Sequence, residues 1–343
     1  MRDGAPIAAS TWVIGAGGLL GSALAARLRQ RGAPVTTTPW VPWHDPVAAV
    51  SRLAEGVREL AERSDRPCRV AWCAGAGVTG TSERALAQEI EVLTGLLDHL
   101  ATLPNGRLDA LFFASSAGGL YAGSPEPPFT EAHPVVPLSP YGHAKRVAEE
   151  VVDQFAESTG VPTVLGRIAN LYGAGQNLRK PQGLISHLCR GQLNAQPVSI
   201  YVSLDTLRDY LFVDDCAGMV ADALDHVARL PGRFEGPNAA TVKIFASQQA
   251  TTIAALLGEC RRVFKRAPLV VLGSSPTARY QPRDLRLRST VWTSLDRRSL
   301  TPLPAGIRAT SAGLLRSMQA SSPAWGGRTL SGLGEPVPRT VVR

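Results

Sequence analysis

The sequence predicts an α/β protein built on a doubly wound parallel sheet with helices on both faces. Apolar strand-like runs alternate with helically spaced stretches along the chain, the pattern of a parallel sheet rather than of hairpins. A glycine-rich turn, Gly15-Ala16-Gly17-Gly18-Leu19-Leu20-Gly21, joins the first run to the first helix. Further on, Tyr141 and Lys145 stand about one helical turn apart, behind an apolar run that ends in Ser115-Ser116. With 343 residues the chain can bury a sizeable core as one large domain, or as one domain with a smaller lobe.

The first strand is Thr11-Trp12-Val13-Ile14, a short apolar run with β-branched residues. Beyond the glycine turn, residues 22–30 carry Leu24, Ala25 and Leu28 at helical spacing. Val35-Thr36-Thr37-Thr38 reads as the second strand, residues 45–62 as a long helix, and Arg69-Val70-Ala71-Trp72-Cys73 as the third strand, closed by Ala74-Gly75-Ala76-Gly77. Residues 83–100 form a helix running beneath the strand at 110–116. Residues 122–140 hold six prolines, so they read as a loop in the position of an active-site flap. A helix begins near Tyr141 and runs through Ser158, and after Asn170 the chain is irregular as far as Lys180. Residues 321–343 read as a flexible polar tail.

Composition narrows the class. No run approaches the roughly 18 apolar residues of a membrane span, and Met1-Arg2-Asp3-Gly4 lacks the basic start and apolar core of a signal peptide. Cys68, Cys73, Cys189, Cys216 and Cys260 are scattered without metal-ligand spacing, as small core residues of a reduced, cytoplasmic protein. His44, His99, His133, His187 and His226 show no metal spacing either, and His143 reads as a surface imidazole. The formal charge of +8 comes from arginines spread along the chain, not from a basic stripe interleaved with aromatics, so nucleic acid is not the expected partner.

The chemistry lies in the polar groups. Glycines after a strand let backbone N–H groups approach a pyrophosphate at the positive end of the following helix. A lysine ammonium held beside a phenol favours the phenolate, and such a tyrosine can exchange a proton with an alcohol or carbonyl. Asp214 and Asp215, after Leu211-Phe212-Val213, read as a helix N-terminus rather than as metal ligands.

Gly15, Gly18 and Gly21 (Gly-x-x-Gly-x-x-Gly), Ser115-Ser116, Tyr141 with Lys145, Arg167-Ile168-Ala169-Asn170-Leu171-Tyr172-Gly173, and Arg208-Asp209-Tyr210-Leu211-Phe212-Val213-Asp214-Asp215 follow one another in order. Together they resemble the extended branch of the short-chain dehydrogenase/reductase family, which comprises sugar-nucleotide epimerases, dehydratases and ketoreductases. The resemblance implies a Rossmann-type dinucleotide-binding core over residues 1–165. A smaller substrate-binding lobe would cover mainly 166–320, with a segment at about 205–228 returning to the core. It implies NAD or NADP held by Gly15, Gly18, Leu19, Leu20, Gly21, Ala74 and Gly75, together with Tyr141 and Lys145. Tyr141 would be the acid/base, Lys145 would hold it and contact the nicotinamide ribose, and Ser116 would donate to the substrate oxygen, with Ser115 as the alternative. Asn170 and Arg208 would meet a nucleotide-diphosphate sugar, with Arg279 and Arg283 as further candidates for its diphosphate. It also implies a homodimer through the helices at 83–100 and 145–158.

Two departures matter. Where an NAD-preferring fold usually has an acid after the second strand, this chain has Thr37-Thr38-Pro39-Trp40, and the stretch before the next helix is short, as if a helix and strand were abridged. Asp45 is either a cofactor contact or a helix N-cap, and the hydroxyl-rich strand end tilts slightly toward NADP. The dehydratases of the family resemble one another in an acidic pair after the catalytic hydroxyl residue, where this chain has Ala117-Gly118-Gly119. That leaves a 4-epimerase first, an NADPH-dependent ketoreductase second, and a non-catalytic cofactor sensor of the same fold third.

Overall fold

The computed structural model describes residues 9–38, 40–63, 67–230 and 239–321, so nearly all of the tail read at 321–343 lies outside the described residues. The first half runs β1 (Ser10–Ile14), α1 (Leu19–Gln30), β2 (Val35–Thr37), α2 (Pro46–Arg63), β3 (Cys68–Trp72), α3 (Glu83–Ala101), β4 (Leu108–Ser116), α4 (Ala117–Leu120), α5 (Pro140–Thr159) and β5 (Thr163–Ile168). The second half contributes β6 (Asn170–Tyr172), α6 (Leu184–Asn194), β7 (Val198–Ile200), β8 (Leu207–Phe212), α7 (Val213–Val227) and β9 (Thr241–Phe245). After these come β10 (Ala250–Thr252), α8 (Ile253–Phe264), β11 (Val270–Leu272), β12 (Asp284–Leu285) and α9 (Leu303–Ser321).

Six strands form one sheet in the order β2-β1-β3-β4-β5-β9, and every neighbouring pair is parallel. Helices α1 and α7 cover one face, around Leu24, Val220 and Leu224, while α2, α3 and α5 cover the other, around Leu53, Leu96 and Val152. The central strands are buried on both faces, which is why β1, β3 and β4 read as near-continuous apolar runs instead of alternations. The expected abridgement is present. Among the described residues β2 pairs only with β1 and is an edge strand, and the chain goes from it directly into α2. A full dinucleotide-binding sheet has a further strand on that flank.

The second half divides differently from the sequence expectation. Of residues 205–228, α7 returns to the core and packs against α1, Leu211 of β8 joins the same cluster, and β9 is a second return that adds to the sheet beside β5. Strand β8 instead organises the lobe, pairing parallel with β6 and β12 and antiparallel with β10. Around it α6, α8 and α9 share an apolar cluster of Ile185, Leu188, Leu256 and Ile307, and β7 pairs with β11.

The proline-rich loop at 122–140 is not a flap. Tyr121 Oη donates to the Thr130 carbonyl, Phe129 exchanges backbone hydrogen bonds with Arg286 and Arg288, and Glu131 accepts from Ile244 N, Ser289 Oγ and Thr290 N. Proline content made it irregular; these bonds pin it between β9 and the strap that follows β12.

Candidate active site

The glycine turn after β1, the turn after β3, the serine pair ending β4 and the start of α5 lie at the carboxyl edge of the parallel sheet, where open α/β sheets bind their ligands. At the end of β1, Gly15 has φ +83°, and a Cβ there would lie 2.6 Å from the Ala74 amide nitrogen, so this turn must be glycine to pass the end of β3. A side chain on Gly21 would strike the Gly15 carbonyl, so α1 starts tight against the turn. Gly18 is the N-cap of α1 and offers no side chain, Leu19 and Leu20 open the helix, and its first turn holds no acidic residue. The N-terminus of α1 is therefore left to an external anion.

Tyr141 owes its place to the start of α5. The Ser139 hydroxyl accepts the Gly142 N–H at 3.1 Å and Pro140 fits the first helical position, which sets Tyr141 in the first turn. A side chain on Gly142 would strike the Gly119 carbonyl, so α5 begins pressed against α4. At the end of β4, the Ser116 hydroxyl accepts the Gly119 N–H at 3.1 Å. A Cβ on Gly119 would sit 3.1 Å from the Tyr141 ring and 3.4 Å from Ser116 Oγ, so phenol and hydroxyl flank one small space. Lys145, a turn later, holds its Nζ 6.0 Å from the Tyr141 ring centre and 5.2 Å from that of Phe113, and donates to the Ala114 carbonyl at 3.4 Å. Ser115, the neighbouring strand residue, is buried and its hydroxyl has no hydrogen-bond partner. Successive strand residues face opposite sides, and of the two serines Ser116 is the one beside Tyr141.

Between the glycine turn and Tyr141 lies the turn after β3. Gly75 is exposed at φ +152°, and a side chain at Gly77 would lie 3.3 Å from the Tyr141 ring. Two residues that carry no sequence motif meet this turn. Glu89 of α3 accepts the Ala76 and Gly77 N–H groups at 2.6 and 2.7 Å, and Lys180, from the irregular stretch after β6, donates to the Gly75 carbonyl at 3.5 Å. The legible signal for Glu89 is an acid on the apolar stripe of α3, three residues from Leu86 and from Val92.

The lobe residues are brought in unequally. Arg208 is 6 % exposed and, among the described residues, bonds to neutral oxygens, the Leu207 carbonyl at 2.8 Å and Gln281 Oε1 at 3.1 Å; burial pulls its guanidinium down to about 10. Asn170 is exposed and its amide donates to the Asp209 carbonyl at 3.0 Å, tying β6 to β8. Asp209 itself is buried and accepts the Ser247 N–H at 2.8 Å, a brace within the lobe. Arg279 is exposed, stacked 4.7 Å over the Tyr280 ring. Arg283 is 78 % exposed and paired with Asp205 at the surface. Asp45 is exposed at the start of α2 and accepts the Ala48 N–H at 3.1 Å, which is the helix-cap alternative. Asp214 and Asp215 lie in the first turn of α7, where Asp215 accepts from Thr301, and His143 is exposed. Among the described residues no cluster of His, Cys, Asp or Glu forms a metal site.

A model of the NAD dependent epimerase/dehydratase family matches residues 11–235. The chain belongs to this family. Over 129 residues it is 33% identical to the protein named "Putative UDP-glucose 4-epimerase" of Methanocaldococcus jannaschii, covering 38% of this chain and 42% of that protein. Over 107 residues it is 32% identical to the dTDP-4-dehydro-6-deoxyglucose reductase of Escherichia coli, covering 31% of this chain and 34% of that one. The matches thus span less than half of each relative's length. A solved UDP-glucose 4-epimerase of Thermotoga maritima with UDP-glucose superposes with a TM-score of 0.70 at 20% identity, covering 90% of this chain and 99% of that one. At that identity the likeness is one of fold. Membership in an NAD-dependent epimerase/dehydratase family assigns a nicotinamide dinucleotide, and the residues fit it. The Gly15 turn and the acid-free N-terminus of α1 suit its pyrophosphate, and the turn after β3 leads from there to Tyr141 and Lys145.

Proposed function

We propose that the protein transfers a hydride on a nucleotide-diphosphate sugar, acting as a sugar-nucleotide 4-epimerase. The observation that carries this reading is the convergence of the Tyr141 ring and Ser116 Oγ on Gly119, with Lys145 one turn behind. A sugar hydroxyl held beside these two side chains would meet Tyr141 as proton acceptor and Ser116 as hydrogen-bond donor. Ser116 can go on accepting the Gly119 N–H while its own O–H donates to the sugar. Lys145 would keep a positive charge near the phenol and reach the cofactor ribose. When bound, the nicotinamide supplies or accepts the hydride. Arg208, a buried guanidinium with no carboxylate bonded to it, is the group best suited to the substrate diphosphate. Dehydration is disfavoured because the residues after Ser116 are Ala117, Gly118 and Gly119, and a side chain at Gly119 has no room beside Tyr141.

One observation favours an NADPH-dependent ketoreductase instead. The edge strand β2 ends in Thr37 and Thr38 without an acid, and Thr38 Oγ1 already accepts the Trp12 indole N–H at 3.0 Å. Release and identification of nicotinamide from freshly purified protein separates the two. Near-stoichiometric NAD supports the epimerase, protein that comes off empty and takes up NADPH supports the reductase, and binding of neither contradicts both.

A cytoplasmic location and a homodimer complete the reading. The five cysteines are unpaired, as in a reducing compartment, and no helix among the described residues is long and apolar enough to cross a membrane. The dimer through α3 and α5 rests on the family resemblance; most large apolar side chains of both helices are buried within one chain, while Ile90, Val147 and Val151 are half-buried. Sedimentation at twice the 36.3 kDa chain mass would support it, and sedimentation as a monomer would remove it.

A further inference from the structure

Glu89 occupies an unusual place for a carboxylate. It sits half-buried on the apolar stripe of α3, where losing water costs free energy unless partners replace it. The partners are present. One oxygen takes both the Ala76 and Gly77 N–H groups. The other lies 3.8 Å from where a Gly75 side chain would begin, and Lys145 Nζ lies 3.7 Å from the same point. Lys180 reaches across the cleft to the Gly75 carbonyl, so two ammonium groups and one carboxylate converge on a single turn.

The geometry points to Glu89 as a positioning residue at the nicotinamide end of the cleft: it fixes the Gly75–Gly77 turn and supplies the counter-charge that lets Lys145 and Lys180 share it. The first half of this statement rests on the dinucleotide reading of the cleft, and the second half does not. Two like charges at one turn oppose each other, and an opposite charge between them relieves the opposition. Lys180 registers the balance. Burial disfavours its ammonium most, Glu89 favours it and Lys145 disfavours it, with a net pull downward. On the α6 side, His187 meets the Lys180 carbonyl and Arg190 lies against the imidazole. Glu89 is therefore the acid facing Lys180 from α3, against Lys145 from α5.

Two substitutions in the full-length protein separate the roles. Glu89→Gln keeps an oxygen for the two N–H groups and removes the charge, while Glu89→Ala removes both. Lysine acetylation against pH, read peptide by peptide by mass spectrometry on cofactor-free protein, reports the charge. In Glu89→Gln, Lys180 becomes reactive at lower pH than in the wild type. Titration with NADH, followed by its fluorescence, reports the turn. Glu89→Gln stays within about threefold of the wild type, and Glu89→Ala binds roughly tenfold more weakly or worse. Melting curves that match the wild type for Glu89→Gln keep the comparison free of misfolding. An unchanged Lys180 profile in Glu89→Gln overturns the counter-charge, and wild-type NADH affinity in Glu89→Ala overturns the positioning. A wild-type protein that binds no nicotinamide contradicts the proposed function, and the acetylation profile still decides the counter-charge.

Discussion

A methyl group at Gly119 would crowd both the Tyr141 ring and Ser116 Oγ, and this contact ties the catalytic reading to geometry. Gly119→Ala would push on the phenol from 3.1 Å, a displacement that lowers turnover by on the order of tenfold to a hundredfold. NADH binding should stay near wild type, because the affected atoms lie on the substrate side; an unimpaired Gly119→Ala enzyme would mean that the placing of the phenol against Gly119 does not matter. Tyr141→Phe removes only the proton-exchanging oxygen and should lower turnover by roughly 10² to 10⁴ with cofactor binding retained, as steady-state rates and NADH titration would show. At this scale the sequence was informative where chemistry needs a fixed spacing. Tyr141 and Lys145 are legible because one helical turn sets both, and Gly15 because a glycine must pass β3. Glu89 is harder to read, since an acid on a helix is usually solvated and its two N–H partners come from a turn twelve and thirteen residues away. Arg283 shows the reverse: it stands two places from the buried β12 residue Leu285, yet its own side chain turns out to Asp205.

At the scale of elements, helix caps and apolar runs made the core strands and helices legible, while the lobe strands were not. β6, β10, β11 and β12 are two or three residues long, too short for an alternation to register, and they exist because β8 and β7 offer backbone partners. The loop at 122–140 is less legible for a related reason. Prolines announce irregular backbone but say nothing of what holds it, and here Glu131 does much of the holding. Burial pushes the Glu131 carboxyl up, but hydrogen bonds from Ser289, Ile244 N–H and Thr290 N–H outweigh it and leave it below its ordinary range. A lowered value in the folded state means that this stabilisation is complete above the unfolded carboxylate value of about 4.3 and fades as pH falls through the lower folded value. Glu131→Gln should therefore cost about 2 kcal/mol in urea unfolding at pH 7, and the gap from wild type should narrow as the pH is taken below 4. A gap that holds constant with pH would show that the carboxylate charge is not what matters.

The whole molecule is a parallel sheet whose carboxyl edge gathers the glycine turn, the turn after β3, the serine pair and the start of α5 into one cleft. This gathering follows from parallel strands with right-handed crossovers, so the alternation of elements was enough to place the site before any side chain was examined. The shortened flank at β2 was visible as missing length, and what it does to cofactor choice depends on exposed side chains that no spacing rule fixes, such as Trp40. The most direct test of the account is proton NMR in D₂O of the purified protein with a panel of nucleotide-diphosphate hexoses and hexuronates. The account predicts that one pair of 4-epimers interconverts without deuterium entering C4, because the hydrogen leaves and returns as hydride, and that Tyr141→Phe nearly abolishes the exchange. Deuterium at C4, or no interconversion of any pair, would contradict it.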